Sequence, residues 1–274
     1  MTQRHVDMST NRIDTMFAQA RTDHKKLLCP FLTAGYPSLD ATVELLIAAE
    51  RAMDGRGMIE LGIPFSDPIA DGPTIQESYT KALSAGTTVD KALACVRQAR
   101  TKGVKLPIVA MVSFSIIFKR GSENFAKACV ANGLDGLVLP DIPLEEAPAI
   151  TQVMNQQGLK TALLVAPSTP TARRELIVKH CTGFIYYLSV AGITGERKEL
   201  PPDIAANILS IKKFSDLPIC VGFGIGNATQ VKQVTAVADG AIVGSAIIRR
   251  LTENPANPVQ SAETFIRQLA TGLV

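Results

Sequence analysis

Eight short runs rich in apolar and β-branched residues recur along the 274-residue chain, each followed by helical periodicity, and this alternation constrains the fold more than any other feature. The runs are Leu27 to Thr33, Met58 to Gly62, Pro107 to Ser113, Gly136 to Leu139, Thr161 to Val165, Gly183 to Ser189, Ile219 to Phe223 and Ala241 to Val243. Helical spacing fills the intervals: Asp40 to Met53, a start near Thr74, Val89 to Arg100, Glu123 to Asn132, Leu144 to Gln157, Pro170 to His180, Pro202 to Phe214 and Ala228 to Val237, with Gln260 to Ala270 last. Strands separated by helices lie parallel, and eight such units in about 250 residues fit a closed barrel better than an open doubly wound sheet. The expectation is an α/β protein, a (β/α)8 TIM barrel forming one domain over residues 1–274. Ile13, Met16, Phe17 and Ala20, behind the cap candidates Ser9, Thr10 and Asn11, add an extra N-terminal helix.

The spacing is uneven. Almost twice the usual interval separates the second and third strands, which predicts an inserted segment after Gly62. The stretch Val190 to Pro202 after strand six is too polar and interrupted for a helix, so a second long loop is expected there. Both leave the carboxyl ends of strands, the face on which barrels carry active sites.

Composition excludes several classes. The hydrophobic content of 46% is ample for a large core, and a net charge of +3, with basic residues scattered and no aromatic face among them, argues against nucleic acid. The five cysteines, odd in number and widely spaced within apolar stretches, predict neither disulfides nor a metal site and suit a reducing, cytoplasmic setting. No run reaches the length of a membrane span. The three histidines stand apart from one another and the lysines avoid strand ends, so neither metal nor Schiff-base chemistry is expected.

Carboxylates remain. In Met58-Ile-Glu-Leu-Gly62, Glu60 alternates with Ile59 and Leu61; if those two pack outward against helices, the acid points into the barrel. Asp67 and Asp71 follow on the loop, and Asp141 ends strand four. Glu60 could instead be a buried ion-pair or capping acid, and Asp67 and Asp71 mere turn formers. Gly224 after strand seven, with Gly244 and Ser245 after strand eight, match the positions where barrels bind phosphate, although glycines there also serve tight turns. Phe31, Tyr186 and Phe223 sit where they could line a pocket for a flat ring or simply fill the core.

The segment Glu60-Leu-Gly-Ile-Pro-Phe-Ser-Asp-Pro-Ile-Ala-Asp-Gly-Pro-Thr-Ile-Gln76 resembles the signature of the tryptophan synthase alpha chain family almost letter for letter. Pro30 to Pro37, Asp135 to Pro143, Tyr186 to Gly195, Val221 to Ile225 and Gly240 to Ser245 resemble its other motifs in order. The resemblance implies a cofactor-free lyase of tryptophan biosynthesis that cleaves indole-3-glycerol phosphate to indole and glyceraldehyde 3-phosphate. It implies Glu60 as the acid/base, Asp71 as the carboxylate facing the indole N–H, and Thr194 as the residue holding Asp71 when loop six closes. Gly195, Gly224, Gly244 and Ser245 match its phosphate ligands, and Phe31, Tyr186 and Phe223 its indole pocket.

The same resemblance implies a partner, a beta chain carrying pyridoxal phosphate, in an α2β2 heterotetramer, with Asp67 at the contact. The family's Tyr and Asn after strand three, near the pocket rim and the partner surface, are replaced here within Val112-Ser-Phe-Ser-Ile-Ile-Phe118, by Ser113 and Ser115, and its Gly-Ala-Asp before strand two by Gly55-Arg-Gly57. These departures keep open an alternative in which the chain cleaves weakly and serves mainly to activate the beta chain.

Overall fold

The computed structural model describes residues 11–69, 71–189, 202–222 and 224–273. Its strands are β1 (Leu27–Thr33), β2 (Ile59–Gly62), β3 (Ile108–Met111), β4 (Gly136–Leu139), β5 (Lys160–Val165), β6 (Ile185–Leu188), β7 (Ile219–Gly222) and β8 (Gly240–Val243). They pair in chain order, every neighbour parallel, and β8 returns to β1 to close the barrel. The helices are α1 (Arg12–Thr22), α2 (Leu39–Met53), α3 (Pro73–Ser84), α4 (Val89–Thr101), α5 (Phe114–Arg120), α6 (Ser122–Ala131), α7 (Ala147–Gln156), α8 (Thr171–Lys179), α9 (Ile204–Lys212), α10 (Ala228–Thr235), α11 (Ser245–Glu253) and α12 (Pro258–Ala270).

Local chemistry sets these boundaries. Ser38, Thr88 and Asn227 each accept a hydrogen bond from a first-turn amide, supplying the caps of α2, α4 and α10. Pro73 opens α3, where a missing N–H costs nothing. The expected insertion after Gly62 is α3, a helix additional to the α4 crossover. Strand three stops at Met111, short of the expected Ser113, because Ser113 turns away and its Oγ accepts from the Ser115 amide to start α5. That helix, seven residues long, is too short to show a helical period in the sequence.

The α1 helix closes the amino end of the barrel. Asn11 caps it and donates from Nδ2 to the carbonyls of Asp135 and Gly158, at 2.8 Å each, while Phe17 packs its ring against Phe184. Beside it lies Asp135, 4% exposed, which accepts from Arg12 Nη1 at 2.8 Å, Arg100 Nη2 at 2.7 Å and the Ile108 amide at 2.8 Å. Arg100 also donates to the carbonyls of Gly133, Val104 and Leu106. One carboxylate thus ties α1 and α4 to the starts of β3 and β4.

Pairing register places the chemistry at the other end. Phe31 is opposite Glu60 and Glu60 opposite Val109, so the three share a face of the sheet, while Ile59 and Leu61 alternate to the helix side and are fully buried there. All five cysteines are free and buried, and burial pushes every one of their thiols above its ordinary pKa.

Candidate active site

Glu60 is 1% exposed, and neither of its carboxyl oxygens has a hydrogen-bond partner among the described residues. Burial, and then the nearby Asp71, raise its pKa from an ordinary 4.5 to about 8. A polar group left unmatched inside a protein calls for an explanation beyond stability. Among the described residues, neither an ion pair nor a helix cap satisfies the Glu60 oxygens.

Asp71 reaches the same place from the loop. Two prolines, Pro64 and Pro68, keep the segment extended, and a turn from the Asp71 amide to the Pro68 carbonyl brings the chain round to the start of α3. Gln76 then donates from Nε2 to the Asp71 carbonyl at 2.7 Å, fastening loop to helix. Asp71 is 6% exposed, and burial followed by the charge of Asp141 lifts its pKa from 3.8 to about 7.

Two tyrosines face this acid pair. Tyr79 on α3 and Tyr186 on β6 are buried, and burial together with Glu60 and Asp71 pushes both phenols up, so they remain neutral. The strand ends leave room for their rings only because they are glycines. A Cβ on Gly62 would lie 2.5 Å from the Tyr79 hydroxyl and closer still to Phe31, and one on Gly222 would collide with the Tyr186 hydroxyl. Gly244, at the head of α11, borders Phe31 and Ile75, so the loop after β8 adjoins the ring opposite Glu60.

Gly224 takes a left-handed φ of +81°, and Gly244 stands at the N-cap of α11, which begins at Ser245 directly after β8. Asp67 is an exposed loop residue accepting from its neighbour Ser66, at the rim of a cavity it shares with Asp71, Tyr79, Ser113 and Asp141. Ile69 beside it is 80% exposed. Thr194, Gly195 and Phe223 lie outside the described residues.

The model of the family described as "Tryptophan synthase alpha chain" matches residues 17–272. The chain belongs to the tryptophan synthase alpha chain family. Relatives of that name from Chloroflexus aggregans and Synechocystis sp. are 40% and 42% identical over 262 and 265 residues, covering 95% and 96% of this chain and 97% and 99% of theirs. Among solved structures, a tryptophan synthase from M. tuberculosis superposes with a TM-score of 0.88 at 32% identity, over 97% of this chain and 99% of that one. The tryptophan synthase subunit alpha of Legionella pneumophila gives 0.87 at 35%, over 96% and 98%. The chain is accordingly a lyase of tryptophan biosynthesis, the alpha subunit that cleaves indole-3-glycerol phosphate.

Ser113, expected near the pocket rim, does line the mouth cavity, whereas Tyr79 is a member of the alpha chain's mouth that sequence reasoning did not place. Tyr79 sits at an apolar helical position indistinguishable from core, and Ser113 meets Asp141 only through folding.

The raised acids carry a stability cost with a definite sign. Both bind protons more tightly folded than unfolded, so their full contribution to stability is present below the unfolded values and is lost as pH rises through 7 and 8. Glu60→Gln removes the larger part. Relative to the parent, this variant is expected to gain on the order of a few kcal/mol between pH 4.5 and 8, measured by urea unfolding across that range. An unchanged difference between the two proteins would show that Glu60 is not held neutral.

Proposed function

We propose that Glu60 is the proton-transferring group of indole-3-glycerol phosphate cleavage and Asp71 its electrostatic partner. A buried acid with a pKa near 8 and no hydrogen-bond partner among the described residues supports this reading above all. Neutral Glu60 delivers its proton to indole C3, generating the indolenine with positive charge at its nitrogen. Asp71 faces that nitrogen and accepts its N–H. The Glu60 carboxylate then takes the proton of the glycerol hydroxyl on the carbon joined to C3. That carbon–oxygen bond becomes a carbonyl as the bond to C3 breaks, and the electron pair returns to the ring. Indole and glyceraldehyde 3-phosphate leave, and Glu60 is protonated again.

Phe31, Tyr186 and Phe223 enclose the ring, with Thr194 holding Asp71. Gly195, Gly224, Gly244 and Ser245, which match the family's phosphate ligands, hold the substrate's phosphate. No cofactor enters these steps. The partner is a beta chain supplying pyridoxal phosphate chemistry, docked over the mouth at Asp67 in an α2β2 assembly. Free buried thiols, and described helices none of which is long and apolar enough to cross a membrane, are compatible with a cytoplasmic complex acting through one barrel domain.

Purified chain, with and without its cognate beta chain, is expected to release glyceraldehyde 3-phosphate from indole-3-glycerol phosphate, followed by coupled dehydrogenase assay. Absence of product in both conditions would overturn the reading.

A further inference from the structure

Two hydroxyl groups hold α3 across the carboxyl ends of β1 and β2. Thr33 Oγ, at the end of β1, and Ser78 Oγ are 2.7 Å apart, and both residues are buried. Ser78 gives its single proton to the Ile75 carbonyl at 2.7 Å, so Thr33 is the donor to Ser78. The residue after Ser78 is thereby fixed over the strand ends. That residue is Tyr79. It is 3% exposed, and its side chain lines the cavity at the mouth together with Asp71. Its hydroxyl fills the space that a side chain on Gly62 would take, 2.5 Å from where the Cβ would stand. Gly62 follows Glu60 by two positions, so the two share the inward face, with Gly62 roughly 6.5 Å further along the strand toward the mouth. The Tyr79 hydroxyl and the Glu60 carboxyl therefore stand on one wall, with no hydrogen bond between them. Whatever reaches Glu60 from the mouth passes the phenol.

Resting on the reaction assigned above, we propose that Tyr79 is a further catalytic residue of that reaction, donating its O–H to the glycerol oxygen that becomes the aldehyde. That oxygen gives its proton to Glu60, so it lies against the carboxylate on the inward face, beside the position the phenol fills. It begins as a hydroxyl and ends as a carbonyl, and negative charge builds on it between the two as the proton leaves. A hydrogen bond from a neutral phenol strengthens as that charge grows, so it contributes more in the transition state than with bound substrate. An ionised carboxylate could not serve here, having no proton to donate. The phenol keeps its own proton throughout, since burial, then Asp71 and Glu60, hold it well above the ordinary tyrosine range.

The test is steady-state kinetics on Tyr79→Phe, which removes the donor and keeps the ring that packs over Gly62. In the purified chain, kcat for indole-3-glycerol phosphate cleavage is expected to fall about 100-fold, with KM within about twofold of the parent and the urea midpoint unchanged. A double-mutant cycle with Glu60→Gln gives a readout that packing alone would not move. Because both groups serve one oxygen in one step, adding Tyr79→Phe to Glu60→Gln is expected to lower the residual rate by about threefold at most.

If the parent cleaves and Tyr79→Phe keeps kcat within about threefold of it, the proposal is overturned while the assigned reaction stands. A loss confined to KM, or losses that multiply in the double variant, overturn it equally. A parent that releases no glyceraldehyde 3-phosphate overturns the reaction itself, and the role of Tyr79 with it.

Discussion

Glu60→Gln is expected to lower kcat for indole-3-glycerol phosphate cleavage by about 10²- to 10⁴-fold, the usual loss when a positioned acid/base is removed. The glutamine keeps the size of the side chain and its place between Phe31 and Val109, so the pocket should still form. Substrate binding, which depends on the ring pocket and the phosphate loops, is expected to change little, giving a defect in kcat with KM nearly constant. Steady-state kinetics on the purified variant decides it. A variant retaining a third of the parental rate would mean that the proton moves through another group, with Asp71 the first to suspect.

The second large effect concerns stability at the opposite end. Asp135→Ala is expected to cost about 3 to 5 kcal/mol, because it leaves the Arg100 guanidinium, whose side chain is 12% exposed, without its counter-charge and strips the Ile108 amide of its acceptor. Arg12, half exposed, can turn to water and adds little. Asp135→Asn, able to accept from Ile108 while losing only the charge, is expected to lose less. Urea denaturation at neutral pH measures both. A loss under 1 kcal/mol for the alanine variant would show that the carbonyls of Gly133, Val104 and Leu106 alone suffice to hold Arg100.

Much of this molecule is legible in its sequence because the barrel repeats one simple unit. Leu27–Thr33 and Gly136–Leu139 are found where apolar runs bounded by turn residues put them. Glu60 announces itself as an acid in an alternating strand with no polar neighbour. Contacts made only by folding stay hidden. Ser113 meets Asp141 across 28 positions, and Arg12 and Arg100 meet Asp135 across 123 and 35, with no local pattern to mark them. Tyr79 was unreadable for a different reason, since a tyrosine on the buried stripe of a helix looks like any other core residue until an acid is found opposite it.

The buried state of all five cysteines has a practical outcome for following the alpha chain at work. A maleimide dye meets no competing thiolate on the native protein, because each sulfur is both shielded and hard to deprotonate. One cysteine placed on the exposed rim, for instance Ile69→Cys, would therefore take the label selectively without any prior removal of native thiols. Fluorescence from that position then reports directly on what approaches the opening as substrate or a docking chain comes in.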